Sequence, residues 1–175
     1  MRCLTFADHA GDRGAQFSDC GAYRYRLWRE WDRALPTLAF VMLNPSTADH
    51  LVDDPTIRRC VAQAVARRFG RLEVVNLFPL RATHPEALLA HPDPLGPRGA
   101  ADDAIADAVA AADAVICGWG THAAARARAP EVERMLRLND SLAKLFSLGL
   151  NKDGSPKHPL YVAAGARIVP FGLAR

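Results

Sequence analysis

Two asparagines and a histidine, each close to a proline, are the residues of this sequence best suited to chemistry. Asn44 opens the run Asn-Pro-Ser-Thr, Asn76 opens Asn-Leu-Phe-Pro-Leu, and His158 stands in Lys-His-Pro. A carboxamide carries hydrogen-bond donors and an acceptor in one side chain. If the fold brings these three side chains together, they form a polar wall of a pocket.

Each of these motifs, taken alone, also fits an ordinary structural role. Asn-Pro is a common start of a turn, because Asn hydrogen-bonds to its own backbone and Pro fixes the next φ. Asn76 could satisfy loop amides, and His158 could be solvated in a polar loop. Gly118 and Gly120 could serve only to turn the chain around a packed Trp119. Their convergence on one edge is what would indicate a site.

The predicted secondary structure places the first two motifs at the ends of neighbouring strands. Leu38–Leu43 is an apolar run without alternation, typical of a strand covered on both faces. Asp54 as N-cap, Pro55 as first residue and Gly70 as stop delimit an amphipathic helix, and Leu72–Phe78 is the next strand. This strand–helix–strand order predicts parallel strands with a right-handed crossover.

The carboxyl ends of parallel strands in an open sheet are where such folds bind ligands. A third strand, Ala114–Gly120, ends in Gly-Trp-Gly. Leu145–Leu150 fits either a fourth strand or the end of the preceding helix, and as a strand it would bring His158 to the same edge. The candidate site therefore comprises Asn44, Pro45, Ser46, Thr47, Asn76, Phe78, Gly118, Trp119, Gly120, Lys157 and His158.

The start of the chain predicts antiparallel or edge strands. Up to Phe17 the sequence has little periodicity, which indicates a short strand and a loop. Tyr23–Trp31 alternates apolar and basic residues with period two, as a half-buried strand does. Arg24, Arg26 and Arg29 are predicted to form its solvated face, with contacts to phosphate as the alternative.

Length and composition restrict the class of protein. The chain has 175 residues, enough for one α/β domain, and we predict a single domain over residues 1–175. No apolar run approaches the roughly 18 residues of a membrane span, and the N-terminus lacks the apolar region of a secretory signal. We therefore expect a cytoplasmic protein with no membrane partner.

Charge and cysteine content indicate no cofactor. The net charge of +3 is compatible with a nucleic-acid partner without requiring one. The four cysteines have no Cys-x-x-Cys spacing, and Cys60 and Cys117 lie in apolar segments, which indicates buried thiols rather than zinc ligands. We expect neither a metal nor another cofactor.

Five motifs are distributed over nearly the entire chain: MLNPSTAD, DDPTIRRC, VVNLFPLRATHP, GWG and KHPLYV. Together they resemble an uncharacterised bacterial family, domain of unknown function 1643. This resemblance implies no particular chemistry.

The order of three shorter motifs is similar to that of the uracil-DNA glycosylase superfamily, especially its mismatch-specific and single-strand-selective branches. An Asn-Pro follows the first core strand (44–45), Asn-x-x-Pro-Leu ends the second (76–80), and a late His-Pro follows the fourth (158–159). The resemblance implies an α/β fold: a three-layer α/β/α sandwich with a central, mainly parallel four-stranded sheet, plus N-terminal antiparallel or edge strands.

Carried over to these positions, the resemblance gives each residue a role. Asn44 would position a water for attack on the sugar C1′, and Asn76 would read the Watson–Crick edge of an extruded base. His158 would hydrogen-bond the base oxygen on which negative charge develops. The backbone around Pro45 and Ser46 would contact phosphate.

The chain also departs from the glycosylase pattern. No base-stacking aromatic follows Pro45, and the final loop lacks the Ser-Pro that wedges into the DNA minor groove. Asp49, Asp53 and Asp54 would repel a phosphate backbone near the mouth of the pocket.

Two functions follow as expectations. One is a hydrolase of N-glycosidic bonds in a nucleobase-containing substrate, with Asn44 and His158 as catalytic residues. The other is a non-catalytic module that binds a nucleotide or nucleic acid in the same pocket. The expected partner is a nucleobase-containing ligand or single-stranded nucleic acid.

Overall fold

The computed structural model describes residues 1–9, 11–139 and 141–172. Within them, eight strands form one sheet in the order β1-β2-β3-β5-β4-β6-β7-β8. The strands are β1 (Arg2–Asp8), β2 (Gly11–Phe17), β3 (Arg24–Glu30), β4 (Thr37–Met42), β5 (Arg71–Asn76), β6 (Ala114–Cys117), β7 (Leu145–Ser147) and β8 (Val169–Pro170). The helices are α1 (Pro55–Ala66), α2 (Ala87–Ala90), α3 (Ala100–Ala111) and α4 (Ala123–Leu138), with 3₁₀ turns at Leu142–Lys144 and Pro159–Tyr161.

The sheet is mixed, and most of its strand pairings in the described residues are antiparallel. The β1/β2, β2/β3, β3/β5 and β7/β8 pairs are antiparallel, whereas β4/β5, β4/β6 and β6/β7 are parallel. The predicted sandwich on a central four-stranded, mainly parallel sheet, as in uracil-DNA glycosylases, is therefore wrong. The molecule is instead built on one continuous eight-stranded sheet.

The antiparallel part of the sheet could not be recognised from the sequence, because the outer strands bury little apolar surface. Almost every residue of β1 is exposed, so this strand lacks the apolar alternation that identifies a half-buried strand. What was predicted as a short strand and a loop is a hairpin in which β1 pairs with β2 along its whole length. At the opposite edge, β8 is two residues long and carries no periodic signal.

The strand–helix–strand unit that follows lies close to its predicted position. Asp54 is the N-cap of α1, with its side chain accepting the backbone N–H of Ile57 at 2.8 Å, and Pro55 is the first helical residue. Leu145–Ser147 is a strand, parallel to β6, rather than the end of a helix. None of the helices in the described ranges is both long and apolar enough to cross a membrane.

Helices cover the central strands from both sides, which explains why β4 is apolar without alternation. Phe40 of β4 lies in a core cluster with Ile57 of α1. The next residue, Val41, points to the other face, where its cluster contains Ile105 of α3 and Leu136 of α4. Successive side chains of a strand point to opposite faces, so a strand covered on both faces needs apolar residues at every position.

Cys60 and Cys117 are both fully buried in these clusters, as predicted. Burial raises the pKa of both thiols well above the ordinary range, because the thiolate would lose its hydration. These two cysteines are therefore unreactive core residues.

Arg24 and Arg29 are buried, so the prediction of a solvated arginine face on β3 is wrong for both. Arg24 is 2% exposed and donates to the carbonyl oxygen of Ala48 at 2.9 Å. Arg29 is 5% exposed, donates to the carbonyl oxygen of Asp49 and forms an ion pair with Asp53, both at 2.6 Å. The loop 43–54 covers this side of β3, and the two guanidinium groups hold it there.

Two features explain why alternation failed as a guide here. The pairing register between β2 and β3 shifts at Phe17, so the simple period of two does not extend to Arg24. Strand β3 also lies inside the sheet, between β2 and β5, rather than at its edge. Burial lowers the pKa of Arg24 to about 10, with the charge of Asp54 opposing the shift.

We expect Arg24→Ala to lower the free energy of unfolding by about 3 kcal/mol, because it leaves a cavity and removes the buried donor to Ala48. Arg33→Ala is the matched control, since Arg33 is 79% exposed in its surface ion pair with Glu30. The control should cost less than about 1 kcal/mol. Urea denaturation measures both, and equal losses would contradict a supporting role for Arg24.

Candidate functional site

A cleft of about 520 Å³ opens at the carboxyl ends of β4 and β6. Five segments line it: the loop after β4, the start of α1, the loop after β5, the loop after β6 and the segment 158–161. The cleft lies where an open sheet with parallel central strands binds its ligands. Its volume is in the range of small-molecule and cofactor sites.

The structure brings part of the predicted site into this cleft. The predicted residues that line it are Asn44, Ser46, Thr47, Trp119, Gly120 and His158. The predicted residues that are not among its lining are Pro45, Asn76, Phe78, Gly118 and Lys157. The two residues predicted to be catalytic, Asn44 and His158, thus share one cleft, and their roles remain predictions.

The Asn44 side chain is oriented by two backbone carbonyl groups. Its Nδ2 donates to the carbonyl oxygens of Pro45 at 3.0 Å and Ala82 at 2.8 Å. Only an N–H can approach two carbonyl oxygens in this way, so the chemistry determines which side-chain atom is the nitrogen. The Oδ1 accepts no hydrogen bond from the described residues, and it is the atom of this amide available to a ligand or a water.

The His158 ring is a fixed hydrogen-bond donor. His158 precedes the 3₁₀ turn Pro159–Tyr161, and its Nδ1 accepts the backbone N–H of Leu160 at 3.3 Å. In the neutral ring the proton is therefore on Nε2. Burial lowers the pKa of His158, and the negative charge of Asp54 opposes that shift, so the ring is neutral at pH 7.

His122 is a second cleft histidine of the same kind, and it is not among the residues predicted for the site. It is the N-cap of α4, and its Nδ1 accepts the backbone N–H of Ala124 at 3.3 Å. The proton of the neutral ring is again on Nε2. The signal that could have identified it is its place two residues after Gly-Trp-Gly, just before a helix.

Asp54 is the one formally charged side chain among the described residues that line the cleft. Its Oδ1 caps α1, which was predicted, but the residue also lines the cleft. The other two aspartates of this loop are occupied elsewhere. Asp49 accepts backbone N–H groups of its own loop, and Asp53 is paired with Arg29.

Asn76, which the glycosylase resemblance made the reader of a base, lies behind the cleft. It is 3% exposed, and its Oδ1 accepts from Arg24 at 3.5 Å. Its Nδ2 has no hydrogen-bond partner among the described residues. In this structure Asn76 therefore contacts the buried guanidinium group of Arg24 rather than the cleft.

Phe78, Gly118 and Lys157 were also predicted for the site, but they lie outside the lining of the cleft. Phe78 is in the core, and Gly118 packs so closely under Pro159 that a Cβ at position 118 would lie 3.1 Å from the proline ring. Lys157 is exposed, and its backbone N–H donates to the carbonyl oxygen of Gly149.

In the described ranges, no three histidine, cysteine, aspartate or glutamate side chains cluster as a metal site requires.

Helix α1 connects the two sides of the cleft. It begins in the cleft at Asp54, and its Gln63 donates to the carbonyl oxygen of Ala163 at 2.8 Å. Arg67, directly after the helix, donates to the carbonyl oxygens of Ala164 and Ala166. The segment that carries His158 and the rest of the late loop is thus fastened to the helix that starts at the opposite wall.

The family model described as "Protein of unknown function (DUF1643)" matches residues 24–160. The chain belongs to this family. The matched range begins at Arg24 of β3, ends at Leu160 and contains every residue that lines the cleft except Tyr161. No curated protein and no solved structure matches the chain, and the resemblance to uracil-DNA glycosylases finds no support in these comparisons.

We expect the stability of this DUF1643 protein to fall between pH 7 and pH 5 partly because of His158. Its folded-state pKa is lowered, so below its ordinary pKa of about 6.5 the unfolded chain binds a proton that the folded chain does not. His158→Asn keeps an acceptor for the Leu160 N–H and does not titrate. Urea denaturation at pH 7.5 and 5.0 should show a smaller pH-dependent loss in the variant.

At pH 7.5 the two proteins should be of similar stability, since the capping hydrogen bond is retained in His158→Asn. A pH-dependent loss that is unchanged or larger in the variant would contradict the assignment.

Proposed function

We propose that this DUF1643 protein binds a mononucleotide in the cleft. The observation that carries the proposal is that one cleft combines two fixed imidazole N–H donors, His122 and His158, with two acceptors, Asn44 Oδ1 and the Asp54 carboxylate. A nucleotide has three parts with matching demands: an anionic phosphate, a sugar with hydroxyl groups and a base with polar edges.

The phosphate is best accommodated at the start of α4. This helix is 16 residues long, has no acidic residue in its first turn and begins at His122 in the cleft wall. The helix dipole favours an anion there, and the Nε2–H of His122 and the hydroxyl of Thr121 are available as donors. The start of α1 is a poorer place, because the Asp54 carboxylate already occupies it.

The sugar and base fit the remaining walls. The Asp54 carboxylate and Asn44 Oδ1 are acceptors for sugar hydroxyl groups, which are donors. His158 presents an N–H that suits a carbonyl oxygen of a base. This arrangement orients a nucleotide with its phosphate toward α4 and its base toward the late loop.

The cleft favours a free nucleotide over a nucleic-acid strand. No lysine or arginine side chain is among the described residues that line it. Proteins that hold a phosphate backbone neutralise several successive phosphates with such side chains. A single phosphate at a helix start needs no cationic side chain.

We expect a mononucleotide panel (UMP, CMP, AMP and GMP) to raise the melting temperature of the parent protein. A ligand at 100 times its dissociation constant adds about 2.7 kcal/mol of stability. His122→Asn keeps the N-cap of α4 but withdraws the imidazole N–H, and it should weaken nucleotide binding by about 10- to 150-fold, as expected for a hydrogen bond to a charged group. Calorimetric titration measures the change.

Two controls locate the effect. His9→Asn changes an exposed histidine that follows β1, and it should bind nucleotides as the parent does. Uridine lacks the phosphate, so its affinity should be the same for the parent and His122→Asn. No shift with any nucleotide, or equal affinities in the parent and His122→Asn, would overturn the proposal.

Hydrolysis of the N-glycosidic bond is the second candidate function, and the free Oδ1 of Asn44 in the same cleft as the Asp54 carboxylate favours it. The two acceptors would hold a water whose oxygen bonds to C1′ while its proton passes to Asp54. The C1′–N bond breaks with its electron pair going to the base, which then takes a proton from solvent. His158 would stabilise the departing base by donating to its oxygen.

If the protein is a hydrolase, Asp54→Asn should abolish most base release while the fold is retained, because asparagine caps a helix as well as aspartate does. Loss of a general base lowers turnover by about 10²- to 10⁴-fold. Chromatography of free base from UMP and AMP measures the rate, with Asp107→Asn on the exposed face of α3 as control. Equal release by the parent and Asp54→Asn would exclude this mechanism, and no release by the parent leaves binding as the function.

A further inference from the structure

Tyr161 is the most exposed aromatic side chain at the cleft. It is 84% exposed and lines the cleft beside Leu160 and His158. Among the described residues, the next most exposed large aromatic side chain is Phe6 on β1, at 44%. Most aromatic surface elsewhere in the molecule is buried, so an aromatic ring left open at the rim of a site is available to a ligand.

The backbone that carries this ring is held in place before any ligand arrives. Pro159 begins the 3₁₀ turn, His158 caps it, and the Tyr161 N–H donates to the carbonyl oxygen of His158 at 3.1 Å. Gln63 of α1 fixes the chain two residues further on, at Ala163. A ring on a rigid backbone loses little conformational freedom when it binds.

The ring pairs with the imidazole of His158 and is otherwise largely open to solvent. Its centroid lies 5.8 Å from that of His158, with the two planes tilted by 52°. No hydrogen bond in the described residues engages its hydroxyl group. A planar ligand that stacks on Tyr161 would therefore bring its edge close to the imidazole that donates from Nε2.

We propose that Tyr161 stacks on the base of the bound nucleotide. This inference rests on the proposed function and deepens it, because it makes the planar ring of the ligand a determinant of affinity. Every base has a π-face, so stacking of this kind favours nucleotides over sugar phosphates while discriminating weakly between bases.

Calorimetric titration with UMP, AMP and ribose 5-phosphate tests the inference. Tyr161→Ala should weaken UMP and AMP binding by about 5- to 150-fold, the range that base–aromatic stacking represents. Tyr161→Phe keeps the ring and should bind both nucleotides within about twofold of the parent. Neither substitution should change the affinity for ribose 5-phosphate, which has no aromatic ring to stack.

The outcomes separate this inference from the proposed function. If UMP and AMP bind the parent and Tyr161→Ala equally, or ribose 5-phosphate binds as tightly as UMP, stacking is overturned and nucleotide binding stands. If neither nucleotide binds the parent, both proposals are overturned. Because the side chain is so exposed, both variants should melt at the temperature of the parent, which shows that a lost affinity is not lost folding.

Discussion

The hydrogen bond from the buried guanidinium of Arg24 to the carbonyl oxygen of Ala48 is the interaction on which the cleft depends most. Removing a cation from water costs several kcal/mol, so this group is tolerated only where its surroundings are firmly held. Arg29 makes the second attachment, to the carbonyl oxygen of Asp49. Between them they fix the loop that presents Asn44 and Asp54, although neither arginine lines the cleft.

The central part of the fold could be predicted because each element there has a local physical signature. The doubly covered strand β4 is apolar at every position, and α1 begins with an Asp-Pro cap. The outer strands could not be predicted in this way, because β1 is exposed and β8 is only two residues long. The sheet is therefore mostly antiparallel and eight-stranded, whereas a small parallel sheet was expected. The burial of Arg24 was not predictable either, because it depends on a loop that covers β3.

The site was predictable where a strand end and a turn motif coincide, as at Asn44, and at His158, where the short strand β7 provides the route back to the same edge. It was not predictable where one residue has two roles. Asp54 was identified as a cap, yet it also lines the cleft. Asn76 shows the reverse: its position at a strand end was right, but its side chain turns into the interior beside Arg24.

Helix α1 couples the two walls of the cleft, so that their stabilities depend on each other. The helix starts at one wall with Asp54, and through Gln63 it holds the backbone of the other. Local unfolding of α1 would therefore disorder both walls together while the β-sheet hydrogen bonds persist. The cleft and the helix thus form one unit of local unfolding. A molecule bound between the walls would slow amide exchange along α1, including at its far end, which the molecule itself does not touch.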